Sequence, residues 1–233
     1  MKKIIVTTSW DDGHKLDIKL AKLLKKYGIK ATFYISPKDH EYKKEDLLTD
    51  KEIKNLAKDF EIGAHTITHP HLSKIPLEQA DYEIRESKKY LEKVTGSKIT
   101  SFCYPYGDYN QKVVQLVIKN DFKLARTINR FSFDKPSKPF EMDTTFHSYK
   151  HYSEISTIFK FTKINVFTLL KYTNWENSAM DLFDYAYKTN SLFHLWGHAI
   201  EFEKFKEWDK LERFLSYISN RKEILYRTNR EII

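Results

Sequence analysis

Apolar positions along the chain fall into two spacings, and the switch between them recurs about seven times. Short runs rich in β-branched and aromatic residues predict buried strands at 4–8, 31–36, 60–65, 99–104, 122–127 and 191–198, with shorter ones at 144–149 and 224–226. Leu16, Leu20, Leu23, Leu24 and Tyr27 recur at helical spacing and predict a helix over 15–27, which Gly28 stops. Thr49, with Glu52 three residues on, predicts a capped helix running to about residue 59. Pro76 opens a long helix on Leu77, Ala80, Ile84 and Leu91 that ends at Gly96. Further helices are predicted over 110–119, 178–188 and 205–219, and loops over 39–48 and 131–139. In 154–173, β-branched residues dilute a helical pattern, and no element is assigned there or in the helix-poor stretch 159–175.

Strand then helix, repeated, predicts an α/β protein with a parallel sheet. The unusual polar residues all fall where strands end: Asp11 and Asp12, His65, the Tyr104-Pro105-Tyr106 run, Arg126 and His198. In a barrel those ends share one rim, and that rim carries the active site. No internal repeat or linker is visible, so residues 1–233 are expected to form one domain.

Composition narrows the function classes. Lys+Arg is 40 against Asp+Glu 32, a net charge of +8. The lysines are scattered among acids, which reads as a solvated face, with a weak preference for anionic substrates as the alternative. No block of basic and aromatic residues resembles a nucleic-acid motif, so no nucleic-acid partner is expected. The single cysteine, Cys103, allows neither an internal disulfide nor a thiolate metal cluster. Residues 4–8 are too short for a signal-peptide core, and no apolar run approaches the ~20 residues of a membrane helix. A soluble, cytoplasmic protein without a membrane span is therefore expected.

Two adjacent carboxylates at a strand end repel unless something positive sits nearby. The His65-x-x-x-His69 pair suggests what that is. If the turn after the strand coils, both imidazoles lie on one face and reach one ion. Gly63 permits close backbone approach, and Pro70 stops the segment. Alone, such a pair reads as well as two unrelated surface histidines. Beside the carboxylates it suggests a site of two histidines and one carboxylate that leaves room for water, the catalytic pattern.

The motifs Asp11-Asp12-Gly13, His65-Thr66-x-x-His69-Pro70 and Pro105-Tyr106-Gly107 resemble the first three motifs of the polysaccharide deacetylase family, the NodB-homology or carbohydrate esterase 4 group. The resemblance implies a distorted (β/α) barrel of about seven parallel strands. It implies hydrolytic removal of N- or O-acetyl groups from an acetylated sugar or oligosaccharide, with one divalent metal ion: zinc, with cobalt, nickel or manganese as alternatives. By the same resemblance Asp12, His65 and His69 are the metal ligands, Asp11 the base and His198 the general acid, and the Tyr106 backbone N–H completes an oxyanion hole. Trp10 and Trp196 flank these residues and read either as sugar-stacking faces or as core. His194 reads as a core histidine, Glu201 as either an orienting or a solvated carboxylate, and His14 and Asp108 as solvated loop residues.

One departure stands out. The family's third motif begins with an arginine that pairs with the base, and here Cys103 takes that place, as a small buried filler. Arg126, ending the next strand, is offered as the substitute. The fourth motif is not evident; Asp143 and His147 are both candidates for its remnant and neither is assigned. A linear amide or ureide hydrolase of the same fold, and a catalytically weak carbohydrate-binding relative, are the competing readings.

Overall fold

Strand β1 (Ile4–Trp10) is buried at six of its seven positions, as a central parallel strand must be when helices cover both faces of its sheet. The computed structural model describes residues 4–149, 155–161, 174–219 and 221–233. Around β1 lie β2 (Thr32–Ile35), β3 (Glu61–Ala64), β4 (Ser101–Cys103), β5 (Leu124–Arg126), β6 (Phe146–His147), β7 (Leu192–Gly197) and β8 (Ile224–Tyr226). Every pairing between these strands is parallel, in the order β5-β4-β3-β2-β1-β7-β6, with β8 beside β1. One edge of β1 pairs with β7 from Ile5 to Trp10. The other edge is shared: β8 takes its start, at Ile4–Val6, and β2 its end, at Ser9 and Trp10.

The sheet curls until its ends approach. Met142 donates to the Ala125 carbonyl and accepts from Thr127 N–H, at 2.9 and 2.8 Å, and Thr145 N–H donates to the His194 carbonyl at 3.0 Å. One irregular stretch thus ties β5 to β7, the distorted barrel that was expected. The strand anticipated over 144–149 shrinks to β6 because its flanks make these cross-links instead of a regular ladder.

The helices are α1 (Asp17–Lys26), α2 (Asp50–Leu56), α3 (Leu77–Thr95), α4 (Gln111–Lys119), α5 (Ile155–Phe161), α6 (Trp175–Thr189), α7 (Ala199–Lys204) and α8 (Trp208–Ser219). The capping box at Thr49 and Glu52 is complete, and Gly96 closes α3 in the left-handed conformation (φ 71°). The helix anticipated over 205–219 begins at Trp208, and a short helix that was not anticipated, α7, ends just before that range. Lys206 turns left-handed (φ 56°), Glu207 N–H bonds back to the Phe202 carbonyl at 2.8 Å, and the chain restarts as α8. In the unassigned region, α5 covers 155–161, and 162–173 lie outside the described residues. No helix among the described residues is long and apolar enough to cross a membrane.

A buried polar cluster ties the C-terminal segment to the strands. Asn229 donates to Tyr34 Oη (2.9 Å) and accepts from Thr7 Oγ1 (2.8 Å), and its N–H donates to Thr32 Oγ1 (2.9 Å). Gly63 lies beside its register partner Tyr34, where a Cβ would stand 2.4 Å from the Tyr34 ring. His194 is fully buried beside β1, with Nε2 2.8 Å from Ser9 Oγ.

Gly63→Ala forces the Tyr34 ring aside and is expected to cost about 1–3 kcal/mol, the usual range for overpacking, read as a lower urea midpoint at constant slope; an unchanged midpoint contradicts the packing described. Burial, reinforced by the charge of Arg126, holds the His194 pKa well below its ordinary value. The unfolded chain therefore takes up this proton first, so stability is full above the unfolded-state value of about 6.5 and falls as pH drops below it. His194→Gln should flatten that acid limb of the stability–pH curve, and an identical limb in the variant would refute the assignment.

Candidate active site

The site begins where β1 stops. Asp11 N–H still bonds to the Gly197 carbonyl at 3.1 Å, but Asp12 and Gly13 are both left-handed (φ 79° and 81°), and their carbonyls turn to Ser36 N–H and Leu48 N–H. The chain folds over at the strand end and points the two carboxylates into different surroundings.

His65 follows β3 directly. Its Nδ1 lies 2.8 Å from the Cys103 carbonyl, so Nδ1 is the donor and Nε2 is turned toward Asp12 and His69. The turn beyond it is not a helical coil, as the spacing suggested. Thr66 and His69 are left-handed (φ 67° and 60°), and the buried carboxylate of Glu83, on α3, accepts from Ile67 N–H, Thr68 N–H and Thr68 Oγ1 at 2.8–2.9 Å. Glu83 was missed in the sequence, although a charged residue between Ala80 and Ile84 on an apolar helix face is a visible signal.

This turn brings His69 Nε2 to 3.2 Å from His65 Nε2. Asp12 Oδ1 lies 3.6 and 3.5 Å from the same two nitrogens. Asp12 Oδ1 is buried and receives no hydrogen bond. Burial raises the Asp12 pKa, but His198, His65 and His69 outweigh it and hold the group well below the carboxylate range. Burial and the neighbouring His65 push His69 down to about 3, so its imidazole is neutral. An unpartnered carboxylate oxygen facing two imidazole nitrogens is what a divalent cation requires, and donors about 2.1 Å from a tetrahedral ion stand roughly 3.4 Å apart. The three side chains fit a metal.

The other Asp12 oxygen accepts from Tyr42 Oη at 2.9 Å. Tyr42, in a polar loop without periodic pattern, gave no sequence signal. On the far side of His69, Nδ1 lies 3.6 Å from Asp39 Oδ2 and 3.4 Å from Glu41 Oε2.

Asp11 faces the opposite way. The Arg126 guanidinium bonds to both of its oxygens, and the two side chains are 0 and 3% exposed. Cys103 and Arg126 are register partners on β4 and β5. The cation therefore occupies the level of the missing motif arginine, one strand over. Cys103 Sγ remains 3.9 Å from Asp11 Oδ2, and burial pushes the thiol up, so it is neutral filler as anticipated. The Arg126 guanidinium also lies 4.7 Å from the Trp196 ring.

His198 closes the site from the end of β7. Its Nε2 lies 3.9 Å from Asp12 Oδ2 and its Nδ1 3.2 Å from Glu201 Oε2. Burial lowers its pKa, but the Asp12 charge and the Glu201 hydrogen bond raise it further, to about 10. Glu201 is thus no solvated carboxylate, and His147 Nε2 approaches the same Oε2 at 3.2 Å. Of the two unassigned motif candidates, His147 sits at the site. Asp143 turns away and accepts from Thr127 Oγ1 and Asn129 Nδ2.

A cleft of about 310 Å³ is lined by Asp11, Asp12, His65, His69, Tyr106, Trp196 and His198, among others. Tyr106 is left-handed (φ 56°), and its ring stacks on His71 at 4.0 Å. Trp10 does not line the cleft. It is fully buried with its ring edge toward Phe202, because the last residue of a strand buried on both faces points into the core; the sugar-stacking reading fails for it. His14 is not solvated either: it is buried and accepts from Leu16 N–H, whereas Asp108 stays partly exposed and accepts from Ser73 N–H and Oγ.

Residues 1–125 match the family model described as polysaccharide deacetylase. YxkH of Bacillus subtilis is 31% identical over 124 residues, 52% of this chain and 44% of that protein. A Streptococcus pyogenes deacetylase, PplD, solved in complex with acetate, is 25% identical with a TM-score of 0.55, covering 59% of this chain and 62% of that one. The chain thus matches less than two thirds of the length of either relative. A Mycobacterium smegmatis structure shares the fold over 100% of this chain and 90% of its own, with a TM-score of 0.74 at 11% identity.

Arg126→Ala leaves the Asp11 carboxylate buried without its cation and is expected to cost about 3–5 kcal/mol, the range for breaking a buried pair from one side. In an Asp11→Asn background the same change should cost clearly less, as a double-mutant cycle of unfolding free energies reports. Equal losses in both backgrounds would show that the two side chains are not coupled.

Proposed function

The chain belongs to the polysaccharide deacetylase family, and from that premise we propose that it hydrolyses acetyl groups from an acetylated carbohydrate at a metal site formed by Asp12, His65 and His69. The observation that carries the reading is the convergence of these three side chains around the unpartnered Asp12 Oδ1, with Asp11 and His198 lining the same cleft. A divalent ion there, zinc best suited to two imidazoles and a carboxylate with cobalt, nickel or manganese as alternatives, supplies polarisation of the acyl carbonyl and acidification of water. Everything else falls to the chain's own groups.

Asp11 is the base. Its carboxylate, neutralised and oriented by Arg126, accepts a proton from the attacking water. The water oxygen bonds to the acyl carbon, and the charge that develops on the carbonyl oxygen is met by the Tyr106 backbone N–H. His198 gives the proton on Nε2 to the leaving nitrogen, or to the leaving oxygen of an ester, as its bond to the acyl carbon breaks. Acetate and the free amine or hydroxyl depart. Glu201 holds Nδ1 of His198, so that the ring enters this step as imidazolium. Trp196 walls the cleft as a surface for the sugar. The reading takes residues 1–233 as one catalytic unit, supported by β7 and β8 both pairing with β1. The motif arginine, whose loss would favour a catalytically weak binder, has its counterpart in Arg126.

Acetate release from N-acetylated chito-oligosaccharides is expected to require metal: a chelator should abolish it and added zinc or cobalt restore it. Asp11→Asn and His198→Gln should each lower kcat about a hundredfold or more. His69→Ala should bind one equivalent of metal fewer than the wild type by elemental analysis. Turnover indifferent to chelation, or full metal content in His69→Ala, would overturn the assignment.

A further inference from the structure

We propose that His147, Glu201 and His198 form a second divalent-metal site in the wall of the cleft, whose filling disarms His198. The inference rests on the proposed function, because it concerns the same acid. Ring nitrogens of His147 and His198 both close on one carboxylate oxygen, Glu201 Oε2, each at 3.2 Å. The three donor atoms all lie within 4.8 Å of one another. The two 3.2 Å spacings are close to those of donors about 2.0–2.2 Å from a shared ion, and two imidazoles with one carboxylate suit zinc, cobalt, nickel or copper.

The donors are held in place from different parts of the fold. The His147 ring, on β6, stacks on Trp196 at 4.0 Å with an interplanar angle of 10°. Glu201 sits in the first turn of α7, and His198 is the residue that caps it. The group is also reachable from solvent: His198 and Glu201 line the cleft, with side chains 24 and 19% exposed.

Its donors are distinct from those of the Asp12 site, yet the two share a neighbour. His198 turns Nδ1 to Glu201 and Nε2 to Asp12. An ion on Nδ1 sends the proton of that nitrogen to water and leaves N–H at Nε2 of a neutral, coordinated imidazole. That is a far weaker proton donor than imidazolium, so the leaving group loses its acid while substrate can still enter.

Equilibrium dialysis against Zn²⁺, read by elemental analysis on the full chain, tests this. The wild type should reach two equivalents. His147→Phe, which keeps the ring on Trp196, should stop at one, as should Glu201→Gln. His69→Ala should also stop at one, retaining the second site. Acetate release by the wild type should fall about a hundredfold as the second equivalent binds, the lower end of what a positioned acid contributes. Two equivalents in His147→Phe would overturn the site, and a constant rate across the second equivalent would overturn its effect on His198. A wild type that saturates at one equivalent, lost in His69→Ala, overturns this inference and leaves the proposed function standing. A sole equivalent that survives His69→Ala overturns the proposed function instead.

Discussion

Two buried carboxylates on adjacent residues have to be neutralised separately, and the rim of this barrel is arranged around that constraint. Two unit charges a few ångström apart at a partly screened site repel by roughly 4 kcal/mol, and Asp11 and Asp12 are each only 3% exposed. The left-handed turn at Asp12 and Gly13 separates their surroundings. Asp11 receives a guanidinium from β5, and Asp12 faces imidazoles delivered by β3 and β7. A guanidinium on one side and imidazoles on the other are what allow both groups to remain carboxylates.

The scaffold follows from the same demand. Residues from the ends of five strands must meet at one level, which a curled parallel sheet provides. β1 reaches that level with β2 and β7 hydrogen-bonded to its last residues. Behind the cleft-lining groups stands a layer of residues that hold but do not line the site: Glu83 on the histidine turn and the Cys103 carbonyl on His65. The exchange of an arginine for Cys103 with Arg126 beside it keeps the charge and changes only its origin, because register partners on neighbouring parallel strands sit at the same height.

What could be read from the chain was local or periodic. Alternating strand and helix patterns, the Thr49 capping box and the stop at Gly96 depend on neighbouring residues alone. Asp11, Asp12, His65 and His69 stood out because they interrupt such patterns at strand ends. Where reading failed, the deciding interaction was long-range. Trp10 read equally as a cleft face or as core, and packing against Phe202 from α7 decided for the core. Tyr42 lies in a loop whose path is set by contacts, and the helix anticipated from 205 starts only at Trp208, after the left-handed Lys206. The family model, ending at residue 125, reaches neither Arg126 nor His198.

By itself, then, the sequence determined the α/β class, the strand ends that form the polar rim and the identity of four rim residues, since hydrophobic period and residue type are properties of short windows. Tertiary structure alone decided which carboxylate meets which cation, that the histidine turn is left-handed and braced by Glu83, and that His147 joins Glu201 and His198. Those outcomes depend on the register and curl of the sheet, which bring together residues 16 to 115 positions apart in the chain.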